Sequence, residues 1–202
     1  MGAGCRMSSK KVKKIGETAF HLTGQILVAM PQMQDPRFKK SVIFMCGHDN
    51  HGAMGIVVNK LIESVTFEDL LRQLNLKNIN KTLDIRVHYG GPVEIGRGFV
   101  LHSTDYMAEA SVEVTNDIAL SASTTVLDDV ILGNGPDHIL LALGYAGWSS
   151  GQLEEEIMQN GWLTLPADGS ILFDTKPDTL WQRTLEKFGV DPDHLFAHTG
   201  HA

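Results

Sequence analysis

The sequence predicts an α+β domain built on a mixed, mostly antiparallel sheet. Short apolar, β-branched runs dominate its first half, and helical spacing recurs irregularly without strict strand–helix alternation. Two of the early runs flank a glycine- and asparagine-containing loop, as in an antiparallel hairpin. The 202 residues are 43% hydrophobic and 20% charged, enough for one domain with its own core and no staples.

Taken in order, residues 1–20 are polar and basic, with Lys10, Lys11, Lys13 and Lys14, and are expected to be a disordered tail before a single domain over 21–202. Gln25–Met30 reads as a strand closed by Pro31. After a polar loop, Ser41–Cys46 is a second strand, Gly47–Gly52 a turn-rich loop and Met54–Val58 a third strand. Apolar residues at 67, 70, 71 and 74 have helical spacing, with Thr66 as the cap and Glu68 and Asp69 in the first turn. Ile85–Tyr89 is a strand ending in the turn Gly90-Gly91-Pro92-Val93, and Gly98–His102 another. One or two strands fit Ser111–Ser121. Thr124–Leu132 is ambiguous by period and is read as a helix capped by Ser123 or Thr124 and stopped at Gly133. Ile139–Leu143 reads as a buried strand, with Gly144, Gly147 and Gly151 in a tight connection to a helix over Gln152–Asn160. Trp162–Leu165 and Ile171–Phe173 read as short strands, and Thr179–Phe188 as a helix stopped by Gly189.

A net charge of -7 sets the global field against phosphate backbones. No phosphate loop, dinucleotide fingerprint or basic recognition helix is present, so direct nucleic-acid binding is not expected. Two cysteines, Cys5 and Cys46, fit a reducing compartment and hence the cytoplasm. No apolar stretch approaches the roughly 20 residues that span a bilayer. No cofactor and no metal are expected.

Three constellations could carry chemistry. Gly147-Trp148-Ser149-Ser150-Gly151 fits the G-x-S-x-G elbow between a strand and a helix; Asp168 or Asp174 with His194 or His198 would complete a hydrolase triad, and His88-Tyr89-Gly90-Gly91 would supply an oxyanion loop. The local alternative is that Ser149 or Ser150 caps the following helix, with Gln152 at the capping-box position relative to Ser149. Cys46, with His48 and His51 close by, reads first as a buried strand cysteine beside surface histidines; it could instead be a reactive thiol or a redox sensor, and no fourth ligand supports a zinc site. Glu154-Glu155-Glu156 reads as a favourable, solvated first helical turn, and Trp148 and Trp162 as anchors of that helix to the sheet.

Ala29-Met30-Pro31, Asp35-Pro36-Arg37-Phe38 with Ser41-Val42, Gly52 to Lys60, Gly90-Gly91-Pro92-Val93 and Gly144-Tyr145-Ala146-Gly147-Trp148 with Gly151-Gln152-Leu153-Glu154 occur in the order of the YqgE/AlgH family, which the chain resembles from about Leu22 to Ala202. The resemblance implies a small cytoplasmic bacterial α+β protein whose sheet curls towards a pseudo-barrel. It also implies a protein of unestablished molecular activity, often labelled a transcriptional regulator. Ser149 is not one of the family's signature positions, whereas a cysteine at the position of Cys46 recurs in relatives.

The reading that follows is a non-enzymatic regulatory or interaction protein, affecting transcription indirectly if at all, with a protein as its partner. Its expected functional surface gathers Asp35, Arg37, Asn59, Gly90, Gly91, Trp148 and Glu154, because glycine-rich turns expose backbone N–H groups beside polar side chains. Arg37 could instead brace its loop by pairing with Asp35 or Glu154. A serine- or thiol-dependent hydrolase, or a sensor based on Cys46, is the alternative.

Overall fold

A computed structural model of the chain describes residues 21–77 and 83–191. The expected tail over 1–20, His194 and His198 lie outside the described residues. The fold is α+β, one domain in which a mixed sheet curls into a half-barrel, with five helices around it among the described residues.

The strands are β1 (Gln25–Ala29), β2 (Val42–Asp49), β3 (Gly52–Val57), β4 (Val87–Tyr89), β5 (Val93–Ser103), β6 (Ser111–Glu113), β7 (Ile118–Ser121), β8 (Ile139–Ser149) and β9 (Trp162–Pro166). Their order across the sheet is β6-β7-β5-β8-β3-β2-β1-β9, every neighbouring pair antiparallel; β4 alone is parallel, laid along β8 with Val87 opposite Leu141. The helices are α1 (Phe67–Gln73), α2 (Thr125–Leu132), α3 (Gln152–Met158), α4 (Gly169–Asp174) and α5 (Pro177–Lys187).

The early strands lack polar alternation because both of their faces are covered. Ile26, Val28, Val42, Phe44 and Ile56 face one way, into a core closed by Leu172, Leu180 and Leu185 of α4 and α5. Leu27, Ala29, Ile43, Met45 and Val57 face the other way, against Leu153 of α3 and two tryptophans. A third cluster joins α1 and α2 to β4, β5 and β8.

The cap signals place the helices well. Thr66 Oγ1 accepts from Asp69 N while the Asp69 carboxylate accepts from Thr66 N, a complete capping box for α1. α2 closes at Gly133 in the left-handed conformation, φ 80°.

Four expectations are corrected. β2 runs on to Asp49 through the expected loop, shortening the hairpin turn to Asn50-His51. β5 starts at Val93 rather than Gly98, because an excursion over 94–97 interrupts its pairing with β8 instead of preceding the strand. Ile171–Phe173 is helical, in α4: Asp168 caps the segment by accepting from Ser170 N at 2.8 Å. Adjacent Ile171 and Leu172 both enter the core, which suits a helix and not a strand.

The largest correction concerns Gly144 and Gly147, which lie inside β8 and not in a connection after it. Gly144 takes φ 73°, and side-chain parity flips there: Leu140 and Ala142 face the α4–α5 core, whereas Ala146 and Trp148 face the α3 core. An extra residue in a strand has this effect, since a shift of one moves each later side chain to the opposite face. β2 flips in the same way, with a register shift between Met45 and Gly47. The two irregularities turn Trp148 and His48 towards α3.

Candidate functional site

The loop over 31–40 folds on itself through Asp35. Its Oδ1 accepts from Arg37 N at 2.9 Å, its carboxylate accepts from Arg37 Nε and Nη2, and its carbonyl accepts from Phe38 N and Lys39 N. The guanidinium bonds hold the Asp35 carboxyl below its ordinary range. Of the two partners considered for Arg37, the structure selects Asp35. Lys60 Nζ adds a 2.7 Å bond to Arg37 O, and burial lowers the Lys60 pKa.

This turn delivers Phe38 against Trp148 and Trp162. Phe38 stacks on Trp148 at 6.5 Å between centroids, Trp162 meets Phe38 edge-on at 5.6 Å, and the two indoles cross at 6.0 Å and 83°. Behind them, Glu156 of α3 accepts from both indoles at one oxygen, Trp148 Nε1 at 3.0 Å and Trp162 Nε1 at 2.7 Å. Its other oxygen accepts from Gln152 Nε2 at 2.9 Å. The expected anchoring of α3 by the two tryptophans is thus made through Glu156, which is no merely solvated first-turn residue. Between the 31–38 loop, β8, the start of β5 and α3 lies an open cavity of about 580 Å³, its walls including Phe38, Trp148 and Trp162 and its rim Asp35, Arg37 and several glutamines.

Asp35, Arg37 and Trp148 therefore share this cleft, and the other four residues of the expected surface stand elsewhere. Asn59 braces the neck of the loop: its Oδ1 accepts from Val42 N at 2.8 Å and its Nδ2 donates to Lys40 O at 2.8 Å. Gly90 and Gly91 are buried, not exposed. Gly90 N donates to Leu143 O, and a Cβ at either glycine would lie about 2.1 Å from the β8 backbone. Glu154 points to His48, whose Nε2 lies 3.0 Å from Glu154 Oε1. Nδ1 of that ring accepts from Leu22 N, which places the proton on Nε2.

Cys46 is partly buried beside the α4–α5 core, and burial pushes its thiol up to about 12, which leaves little thiolate at neutral pH. No group of three His, Cys, Asp or Glu side chains among the described residues is placed to hold a metal ion. Ser149 lies at the end of β8, its Oγ donating to Gln152 Oε1 at 3.1 Å, and Ser150 Oγ donates to Asn50 O at 2.7 Å. Neither serine caps α3, whose N-cap is Gly151 at φ 77° without a side-chain bond; the Gln152 half of the capping box survives, its Oε1 accepting from Ser149 N. Asp168 binds Lys187 and Ser170, Asp174 stands 4.0 Å from His138, and His88 contacts Leu141 O; the histidines expected to complete a triad lie outside the described residues.

Phe38, Glu156 and Trp162 are the cleft residues that sequence reasoning did not assign to a site. The convergence of two indoles on one carboxylate needed the folded β8 and β9.

A half-barrel carrying an aromatic cleft and a salt-bridged loop defines a small α+β fold. The AlgH-like family model, DUF179, matches residues 26–193, and the chain belongs to that family. A UPF0301 protein of Rhodospirillum rubrum is 46% identical over 182 residues, covering 90% of this chain and 95% of the relative; one of Methylocella silvestris is 46% identical over 197 residues, covering 94% and 95%. The solution structure of the AlgH protein from Pseudomonas aeruginosa aligns at 38% identity with a TM-score of 0.74, over 93% of this chain and 99% of that one. The crystal structure of DIP2367 from Corynebacterium diphtheriae, 20% identical with a TM-score of 0.66 over 82% of this chain and 86% of that one, shares the fold. No helix among the described residues is long and apolar enough to cross a membrane.

Proposed function

We propose that the chain is a non-enzymatic interaction protein of the cytoplasm that docks a segment of a partner protein in the aromatic cleft between the 31–38 loop and α3. The observation that carries this reading is the walling of a 580 Å³ open cavity by three mutually packed aromatic rings under a polar rim. Aromatic anchors give large contact areas at small entropic cost, and a pre-formed cleft saves ordering on binding. A transcriptional effect would then be indirect, through the partner, in keeping with a net charge of -7.

The test is affinity capture with the intact chain, with Gln34→Arg placed at the cleft rim and with Glu113→Arg placed far away on β6. Docking in the cleft predicts a partner recovered by the parent and the β6 variant and lost with Gln34→Arg. A partner bound equally by all three proteins would overturn the reading.

A further inference from the structure

We infer that the cleft selects a guanidinium group, so that the docked segment presents an arginine side chain to the Trp148–Trp162–Glu156 corner; this rests on the docking reading above. Glu156 is a carboxylate whose three hydrogen-bond donors are all neutral, two indoles and an amide, and no lysine or arginine among the described residues pairs with it. Its negative charge is therefore solvated without being neutralised. Donation by the two indoles to that carboxylate also enriches their rings, which border the cleft while themselves only 7% and 3% exposed.

The polar rim has the same preference. Gln32 Nε2 donates to Asn160 O at 2.9 Å and Gln34 Nε2 to Gln32 O at 3.0 Å. A carbonyl oxygen can only accept, so each amide is oriented with one N–H donated to the protein, leaving its oxygen as an acceptor beside the second N–H. The cleft offers acceptors, and guanidinium offers donors in a planar fork that also stacks on aromatic faces. Arg37, the one cation lining the cleft among the described residues, is neutralised by Asp35 at the rim. Its own Cζ stands 5.8 Å over the Phe38 ring, a guanidinium already resting on one of these aromatic faces.

N-acetyl-arginine amide is the probe, titrated into the intact chain while the indole N–H resonances are followed by NMR. Trp148 and Trp162 Nε1–H should shift saturably, whereas Trp181 Nε1–H, which donates to Ala29 O in the core, should stay in place. N-acetyl-citrulline amide, equal in shape but neutral, should bind at least about tenfold more weakly, because the attraction of a ring face and a carboxylate needs the charge. Glu156→Gln, checked for folding by its spectrum, should weaken the arginine probe by a similar factor. Absence of a saturable shift in the parent, or equal binding of citrulline, overturns the inference without needing the variant to fold. If capture still depends on the cleft while arginine gives no response, the docking reading survives and the guanidinium preference falls.

Discussion

Glu156 holds two elements through single atoms. Removing its carboxylate in Glu156→Ala leaves both indole N–H groups without their acceptor, and two charge-assisted bonds at about 1.5 kcal/mol each put the loss near 3 kcal/mol. A urea unfolding series at constant m should show it as a lowered midpoint. Cys46 makes a pH prediction. Its thiol is raised from 9.0 to about 12 by burial, so below pH 9 it is protonated in both states and the contribution is fully present. Between pH 9 and 12 only the unfolded chain ionises, and stability falls as pH rises. Cys46→Ala should lose less stability across that window than the parent. Alkylation of the native thiol at pH 7 should be slow and accelerate on unfolding. Burial of Cys46 was legible in its strand; that His48 beside it is buried too, and not on the surface, was not, because a strand residue's surroundings are set by which core its face meets.

At the level of elements, the glycines of β8 differ in what they permit. A Cβ on Gly144 would meet Gly91 O at 2.5 Å and Val93 O at 2.9 Å with φ at 73°, whereas one on Gly147 would find only the Tyr145 ring as close as 3.1 Å. Gly144→Ala should therefore cost at least about 2 kcal/mol and separate β5 from β8, and Gly147→Ala much less; thermal melts of the pair decide it. α4 and α5 are tied by Asp168, which caps α4 and accepts from Lys187 Nζ at 2.6 Å. That bond and those from Ser170 hold its carboxyl at about 2 against 3.8 ordinarily. Its contribution is present above pH 4 and lost as pH falls towards 2, so Asp168→Asn should flatten that part of an acid-unfolding profile. The helical ends were legible because capping is local: Thr66 with Asp69, and Gly133, are read from four or five residues. Ile171–Phe173 was not, since three apolar residues suit a buried strand or a helix equally and the core chose.

For the whole molecule, β8 is the organiser: it pairs with β3, β4 and β5, and its side chains enter all three cores. Amide hydrogen exchange should be slowest along Leu140–Ala146 and faster in the three-residue edge strand β6, which has one neighbour. Uniform protection across both would count against a central β8. The expected surface divided at this scale too. Asp35, Arg37 and Trp148 came together, while Glu154 turned to His48 and Asn59 to the neck of its own loop.

The sequence alone was enough for the fold class, the hairpin, most element positions, the capping box of α1 and the glycine stop of α2. All of these depend on periodicity, capping and turn chemistry within a few residues. Only the tertiary structure decided which residues share a site. A left-handed glycine at 144 and a bulge after Met45 reversed the facing of everything beyond them, and in a period-two strand one added residue exchanges core for core. Trp148 reached Glu156, and His48 reached Glu154, through that parity and the packing it set.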